Sequence, residues 1–81
     1  MKARPLNLEV LKYLRKHNLE KKFNRQLLIL QNNPRHPSLH TEVLEPKSRK
    51  IYSFRVDIKY RAIFVVRSGA IEIIDINDHY K

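Results

Sequence analysis

The stretch Tyr52-Ser53-Phe54-Arg55-Val56-Asp57-Ile58-Lys59-Tyr60-Arg61-Ala62-Ile63-Phe64-Val65-Val66 decides the fold of this chain. Tyr52, Phe54 and Val56 alternate with Ser53, Arg55 and Asp57. Tyr60, Ala62, Phe64 and Val66 then alternate with Arg61, Ile63 and Val65. A period of two in aromatic and β-branched residues predicts strands over 51–57 and 60–66. A tight loop at Asp57-Ile58-Lys59 sets Val56 opposite Tyr60 and Arg55 opposite Arg61. One face of the hairpin is then consistently apolar, while Ser53, Arg55 and Arg61 share the other. A loop shorter by one residue would split the arginines across the sheet.

Upstream, the pattern is helical. Asn7 is a suitable N-cap for a helix running to His17, with Leu8, Leu11 and Leu14 expected along its buried stripe. Leu19, Phe23, Leu27 and Leu30 recur at helical spacing over 19–31, and Asn18 at the joint makes the pair a helical hairpin. Pro34 stops the second helix, because the residue before proline is pushed out of the α region. Residues 34–38 are expected as a loop, 40–44 as a strand and 46–50 as a turn. Downstream, Ser68-Gly69 marks a turn, and the largely apolar 70–76 is expected as a strand central in the sheet. Residues 1–4 add a short edge strand. Helices first and strands after them predict an α+β fold.

The chain has 81 residues, a length that predicts one domain. Hydrophobic residues make up 42%, which suffices for one core, and the absence of cysteine excludes disulfides and thiolate metal sites. Neither a secretory leader nor a membrane span is expected from the apolar runs, so a soluble cytoplasmic protein is expected. Lys and Arg number 17 against 8 Asp and Glu, a formal net charge of +9. Such an excess attracts polyanions, nucleic acid foremost.

Several ordered features resemble the RelE/ParE family of bacterial toxins. They are the helical hairpin, the loop Asn33-Pro34-Arg35-His36-Pro37-Ser38-Leu39, the strand pair around Arg55 and Arg61, and the ending Ile76-Asn77-Asp78-His79-Tyr80. The resemblance spans nearly the whole chain. It implies a helical hairpin packed on one face of a small, mostly antiparallel sheet of about four strands. It also implies the toxin of a toxin–antitoxin pair, held by an acidic, partly disordered antitoxin. RelE-like members are metal-independent endoribonucleases that cut messenger RNA on the ribosome and so inhibit translation. ParE-type members inhibit DNA gyrase instead, and a non-catalytic RNA-binding domain on the same scaffold is a further alternative.

RNA cleavage of this kind uses the neighbouring 2′-OH as nucleophile. It needs a base, cations for the phosphate and an acid for the leaving oxygen. By the resemblance, Arg61 holds the phosphate, Arg55 completes a two-arginine clamp, His79 exchanges protons and Tyr80 stacks on a base. Lys47, Arg49 and Lys50 in the second turn, Lys59 in the hairpin loop, and His36 and His40 are candidate RNA contacts. No cofactor is expected. His36 and His40 have the spacing of a helical metal pair, but Pro37 between them disfavours a helix there.

Overall fold

The computed structural model describes residues 1–78. Helix α1 spans Leu8–Lys16 and α2 spans Glu20–Asn32. Four strands follow: β1 (Glu42–Val43), β2 (Tyr52–Arg55), β3 (Arg61–Arg67) and β4 (Ala70–Asn77). Single 3₁₀ turns at Pro37–Leu39 and Lys47–Arg49 flank β1. The strands form one antiparallel sheet in the order β1-β2-β3-β4, with the helices packed on one face. The α+β architecture expected from the sequence is therefore the one observed. Among the described residues, no helix is long and apolar enough to cross a membrane.

Asn7 caps α1 as expected, its side-chain oxygen accepting from the Val10 N–H at 2.9 Å. Asn18 turns the chain between the helices at φ 56°, a left-handed conformation that Asn tolerates better than most residues. Leu19 at the N-cap of α2 and Phe23 and Leu30 within it are buried along one stripe, close to expectation. That of α1 is different. Val10 and Leu14 are buried, Leu11 is half-buried and Leu8 is 62% exposed. A spacing of four follows the 3.6-residue turn on this side of the helix and leaves Leu8, in the first turn, to solvent.

The hairpin register is the one the alternation required. Arg55 pairs with Arg61, Phe54 with Ala62 and Tyr52 with Phe64, and the Val56 N–H reaches the Tyr60 carbonyl at 2.9 Å. Asp57 closes the loop, accepting from the backbone N–H groups of Lys59 (2.8 Å) and Tyr60 (2.9 Å). Beneath the helices, Phe54 packs between Phe23 and Phe64 with ring centroids 6.0 and 5.8 Å apart. Gln26 is the polar residue on this buried side. Its side-chain amide donates to the Ser38 carbonyl at 3.0 Å and the Arg55 carbonyl at 2.9 Å. One side chain thus ties α2 to both the 34–41 loop and the end of β2.

β4 is not central, contrary to expectation: it closes the antiparallel ladder, and β2 and β3 lie inside. Its outer side carries the N-terminal segment through a parallel bridge between Ala3 and Ile71. The apolar run has another cause. A bulge shifts the register so that Phe64 faces Ile73 while Ile63 faces Asp75. Ile71, Ile73 and Ile76 can then all be buried under the helices, although 73 and 76 are an odd number of residues apart.

Two outcomes follow from these contacts. Gln26→Leu should leave two carbonyls without their donors and lower stability by about 2–3 kcal/mol, read as a lower urea midpoint at unchanged slope. Burial raises the pKa of Asp57, but the Tyr60 and Lys59 N–H groups and Lys22 outweigh it and hold the carboxyl below its usual value. A lowered folded-state pKa stabilises above the unfolded value and ceases to as pH falls through the folded one. The stability difference between wild type and Asp57→Asn should therefore be full near neutrality and shrink below about pH 4 in urea titrations.

Candidate functional site

The sheet face turned away from the helices carries Arg55 and Arg61 as a directly opposed pair. Arg55 is half-buried. Arg61 is 6% exposed, although its guanidinium lies on the uncovered side of the sheet. A buried guanidinium is tolerated when acceptors replace its water. Its Nε donates to the hydroxyl of Ser53 at 3.0 Å, and Nη2 donates to the Ser53 carbonyl at 3.3 Å and to the His40 carbonyl. Glu42 on β1 brings a carboxylate oxygen to 3.8 Å from Nη2. Burial lowers the pKa of Arg61 below the usual arginine value; Glu42 acts upward and Arg55 downward.

These bonds shape the backbone around the site. His40 adopts φ 43°, a left-handed conformation uncommon for a side-chain-bearing residue, and its carbonyl is held by Arg61. Its N–H bonds the Pro37 carbonyl at 3.2 Å. Two residues on, Glu42 pairs in register with Ser53, which sets its side chain on the arginine face. The Glu42 carboxylate is about half exposed (47%), so it is held near Arg61 and still meets solvent.

The expected contacts are distributed unevenly. Arg55 and Arg61 are together, and the His40 backbone is joined to them, with its imidazole exposed. His36 is exposed too; its Nδ1 accepts from the Ser38 N–H at 3.1 Å, leaving Nε2 outward. Both histidines line a polar cleft with Arg35. Lys47, Arg49 and Lys50 are exposed on the turn before β2. Lys59 lies on the hairpin loop, 3.8 Å from Asp78 and 5.4 Å from the centre of the Tyr60 ring. His79 and Tyr80 lie outside the described residues. Among the described residues no three His, Asp or Glu side chains gather as a metal site.

Sequence reasoning missed Glu42 and the role of Ser53. Alternation along 40–44 gives Glu42 a strand position but cannot say which face of the sheet it joins. Ser53 was expected as a site-facing strand residue; it is fully buried and is an acceptor for Arg61. His17 belongs to a separate cluster, its ring nitrogen 3.2 Å from the Tyr60 hydroxyl and its ring tilted against Tyr13 with centroids 4.2 Å apart.

With this geometry in hand, comparison with solved structures is direct. The fold superposes on a YoeB/ParE toxin from Agrobacterium tumefaciens with a TM-score of 0.74 at 18% identity, covering 99% of this chain and all of that one. It superposes on the YoeB dimer from Staphylococcus aureus with a TM-score of 0.72 at 24% identity, covering 98% and 94%. The toxin in the Staphylococcus aureus YoeB–YefM complex matches at 0.68 and 24%, covering 95% and 100%. No family model and no curated protein sequence matches. The chain thus carries the RelE/ParE-like toxin fold over nearly its full length.

Arg61→Ala removes the donor from three acceptors at once. It should cost about 2–4 kcal/mol in urea unfolding, whereas Arg55→Ala should cost under about 1 kcal/mol.

Proposed function

We propose that this chain is the toxin of a toxin–antitoxin pair, acting as a metal-independent endoribonuclease that cuts messenger RNA on the ribosome and stops translation. The observation that carries it is the solvent-reaching Glu42 carboxylate held beside Arg61, which is itself paired across the sheet with Arg55. Support comes from the shared fold with the YoeB toxins, from solved complexes in which such a toxin is bound to YefM, and from the net charge of +9. The partner is an acidic antitoxin.

In the proposed reaction, Glu42 takes the proton of the 2′-OH, whose oxygen attacks the adjacent phosphorus. The bond to the 5′-oxygen breaks, leaving a 2′,3′-cyclic phosphate and a 5′-hydroxyl. Arg55, the more accessible of the two arginines, balances charge developing on the phosphate oxygens. Arg61 is a positioning residue: it holds Glu42 and the His40 turn in place and adds positive charge beneath the site. The 5′-oxygen needs a proton as it leaves. His79 is assigned that step, with Tyr80 stacking on a base. His40, His36, Lys47, Arg49, Lys50 and Lys59 contribute attraction for the RNA backbone, which makes binding salt-dependent.

The test is cleavage of messenger RNA by purified protein on programmed ribosomes, with growth arrest on induction in a bacterium alongside. Glu42→Gln should lower the cleavage rate at least about a hundredfold while folding and RNA binding persist. Arg61→Lys should retain charge but lose the fork that positions Glu42, lowering the rate in the bound complex more than it weakens binding. Cleavage by Glu42→Gln at the wild-type rate removes Glu42 as base. A folded wild type that neither cuts RNA nor arrests growth removes the nuclease assignment.

A further inference from the structure

The tip of the β2–β3 hairpin is pinned by both helices. Lys22 on α2 reaches the Asp57 carboxylate at 3.4 Å, and Asp57 in turn accepts from the N–H groups of Lys59 and Tyr60 at 2.8 and 2.9 Å. The Tyr60 hydroxyl lies 3.2 Å from Nδ1 of His17, just past α1, and its ring meets that of Tyr13 edge-on with centroids 6.2 Å apart. The backbone of Lys59 is fixed by these contacts. Its ammonium stands 5.4 Å from the centre of the Tyr60 ring and faces the Asp78 carboxylate at 3.8 Å.

Asp78 is the first residue after β4. Ile76 is buried in the core and Asn77 pairs with Arg61 across the sheet, so the strand's period of two returns Asp78 to the helix side. The electrostatics of Tyr13 on α1 agree: burial first, and the charge of Asp78 next, ahead of Tyr60 and Asp75, hold its hydroxyl above the usual pKa. The residue that follows Asp78 in the chain is His79. An ion pair whose lysine is 63% exposed adds little to stability. Its consequence is placement. The ladder holds Asn77 opposite Arg61 and Lys59 holds Asp78, and two successive residues fixed on opposite faces set the direction in which the chain leaves the sheet.

We infer that Lys59 is a positioning residue: by holding the Asp78 carboxylate on the helix side, it presents the following residue, His79, to the arginine face. That His79 gives its proton to the leaving 5′-oxygen rests on the function proposed above; the tie between Lys59 and Asp78 does not. Positioning differs from attraction of RNA, and the two duties have opposite consequences at Asp78. If Lys59 served RNA attraction alone, removing the Asp78 charge would strengthen binding and leave the cleavage step unchanged. If Lys59 holds Asp78, removing either partner misplaces the acid and slows cleavage in the bound complex.

The experiment measures single-turnover cleavage of messenger RNA on programmed ribosomes saturated with the full chain, with ribosome affinity measured separately. It compares wild type, Lys59→Met, Asp78→Asn and the exchange Lys59→Glu with Asp78→Lys. NMR of each protein alone follows the His79 imidazole. Lys59→Met and Asp78→Asn should each slow the bound-complex step about tenfold or more, with urea midpoints near that of wild type. The exchange should recover most of the rate, and the His79 resonances should move in Lys59→Met, a substitution remote from it in sequence. Cleavage at the wild-type rate by Lys59→Met, or an Asp78→Asn protein that binds more tightly and cuts as fast, overturns the proposal. So does an exchange protein slower than both single variants. If wild type cuts no RNA, the nuclease assignment fails; if His79→Ala cuts as fast as wild type, the acid assignment fails. In either case the resonances decide the tie, and a His79 imidazole unmoved by Lys59→Met overturns it.

Discussion

A guanidinium taken out of water must find protein acceptors, and in this domain Arg61 finds them on three separate pieces of chain. Ser53 offers its hydroxyl and carbonyl from β2, His40 its carbonyl from the loop after α2, and Glu42 a carboxylate from β1. β1 is only two residues long and pairs with one neighbour, so its ladder contributes little to its placement. The side chain of Arg61 supplies what the ladder lacks. The same bonds hold the carbonyl of His40, which is in a left-handed conformation, and keep the Glu42 carboxylate beside Arg61 on the face its register with Ser53 gives it. A charged group in the sheet therefore organises the very segment that carries the candidate base.

The opposite face answers a different constraint. A core drawn from 81 residues has to be filled with few side chains, and aromatic rings fill much of it: Phe23, Phe54 and Phe64 in contact, with Tyr52 at the margin. The bulge between β3 and β4 adds Ile76, which a regular strand would have turned outward. Gln26 then links this core to the functional face, because the carbonyls it binds belong to Ser38 and Arg55. Packing on one side of the sheet and charge on the other are thus mechanically connected.

Opposed arginines repel, and the repulsion is a standing cost on the folded state. It is offset at Arg61 by Glu42 and by neutral acceptors, whereas Arg55 makes no hydrogen bond or ion pair through its side chain with any described residue. An anion bound over this face would relieve both. In a domain at +9, that ligand is drawn in by the long-range field and fixed by short-range geometry. The basic turn at 47–50 and the loop histidines extend the field without sharing the arginine contacts.

The chain by itself determined everything that depends on local pattern. Alternation over 51–66 set the strands, and the loop at Asp57 set the register that opposes Arg55 to Arg61, because a slip of one residue would have buried charge. Helical spacing and the Asn7 cap placed both helices. Tertiary structure alone decided which α1 residues are buried, since several leucines compete for one stripe and only the angle on the sheet selects Val10 and Leu14. It alone set β4 at the end of the ladder, because a bulge and a buried central strand produce the same apolar run. And it alone brought Glu42 and His40 to Arg61. Those contacts cross 19 and 21 positions of chain and depend on where a loop lands, which no local pattern encodes.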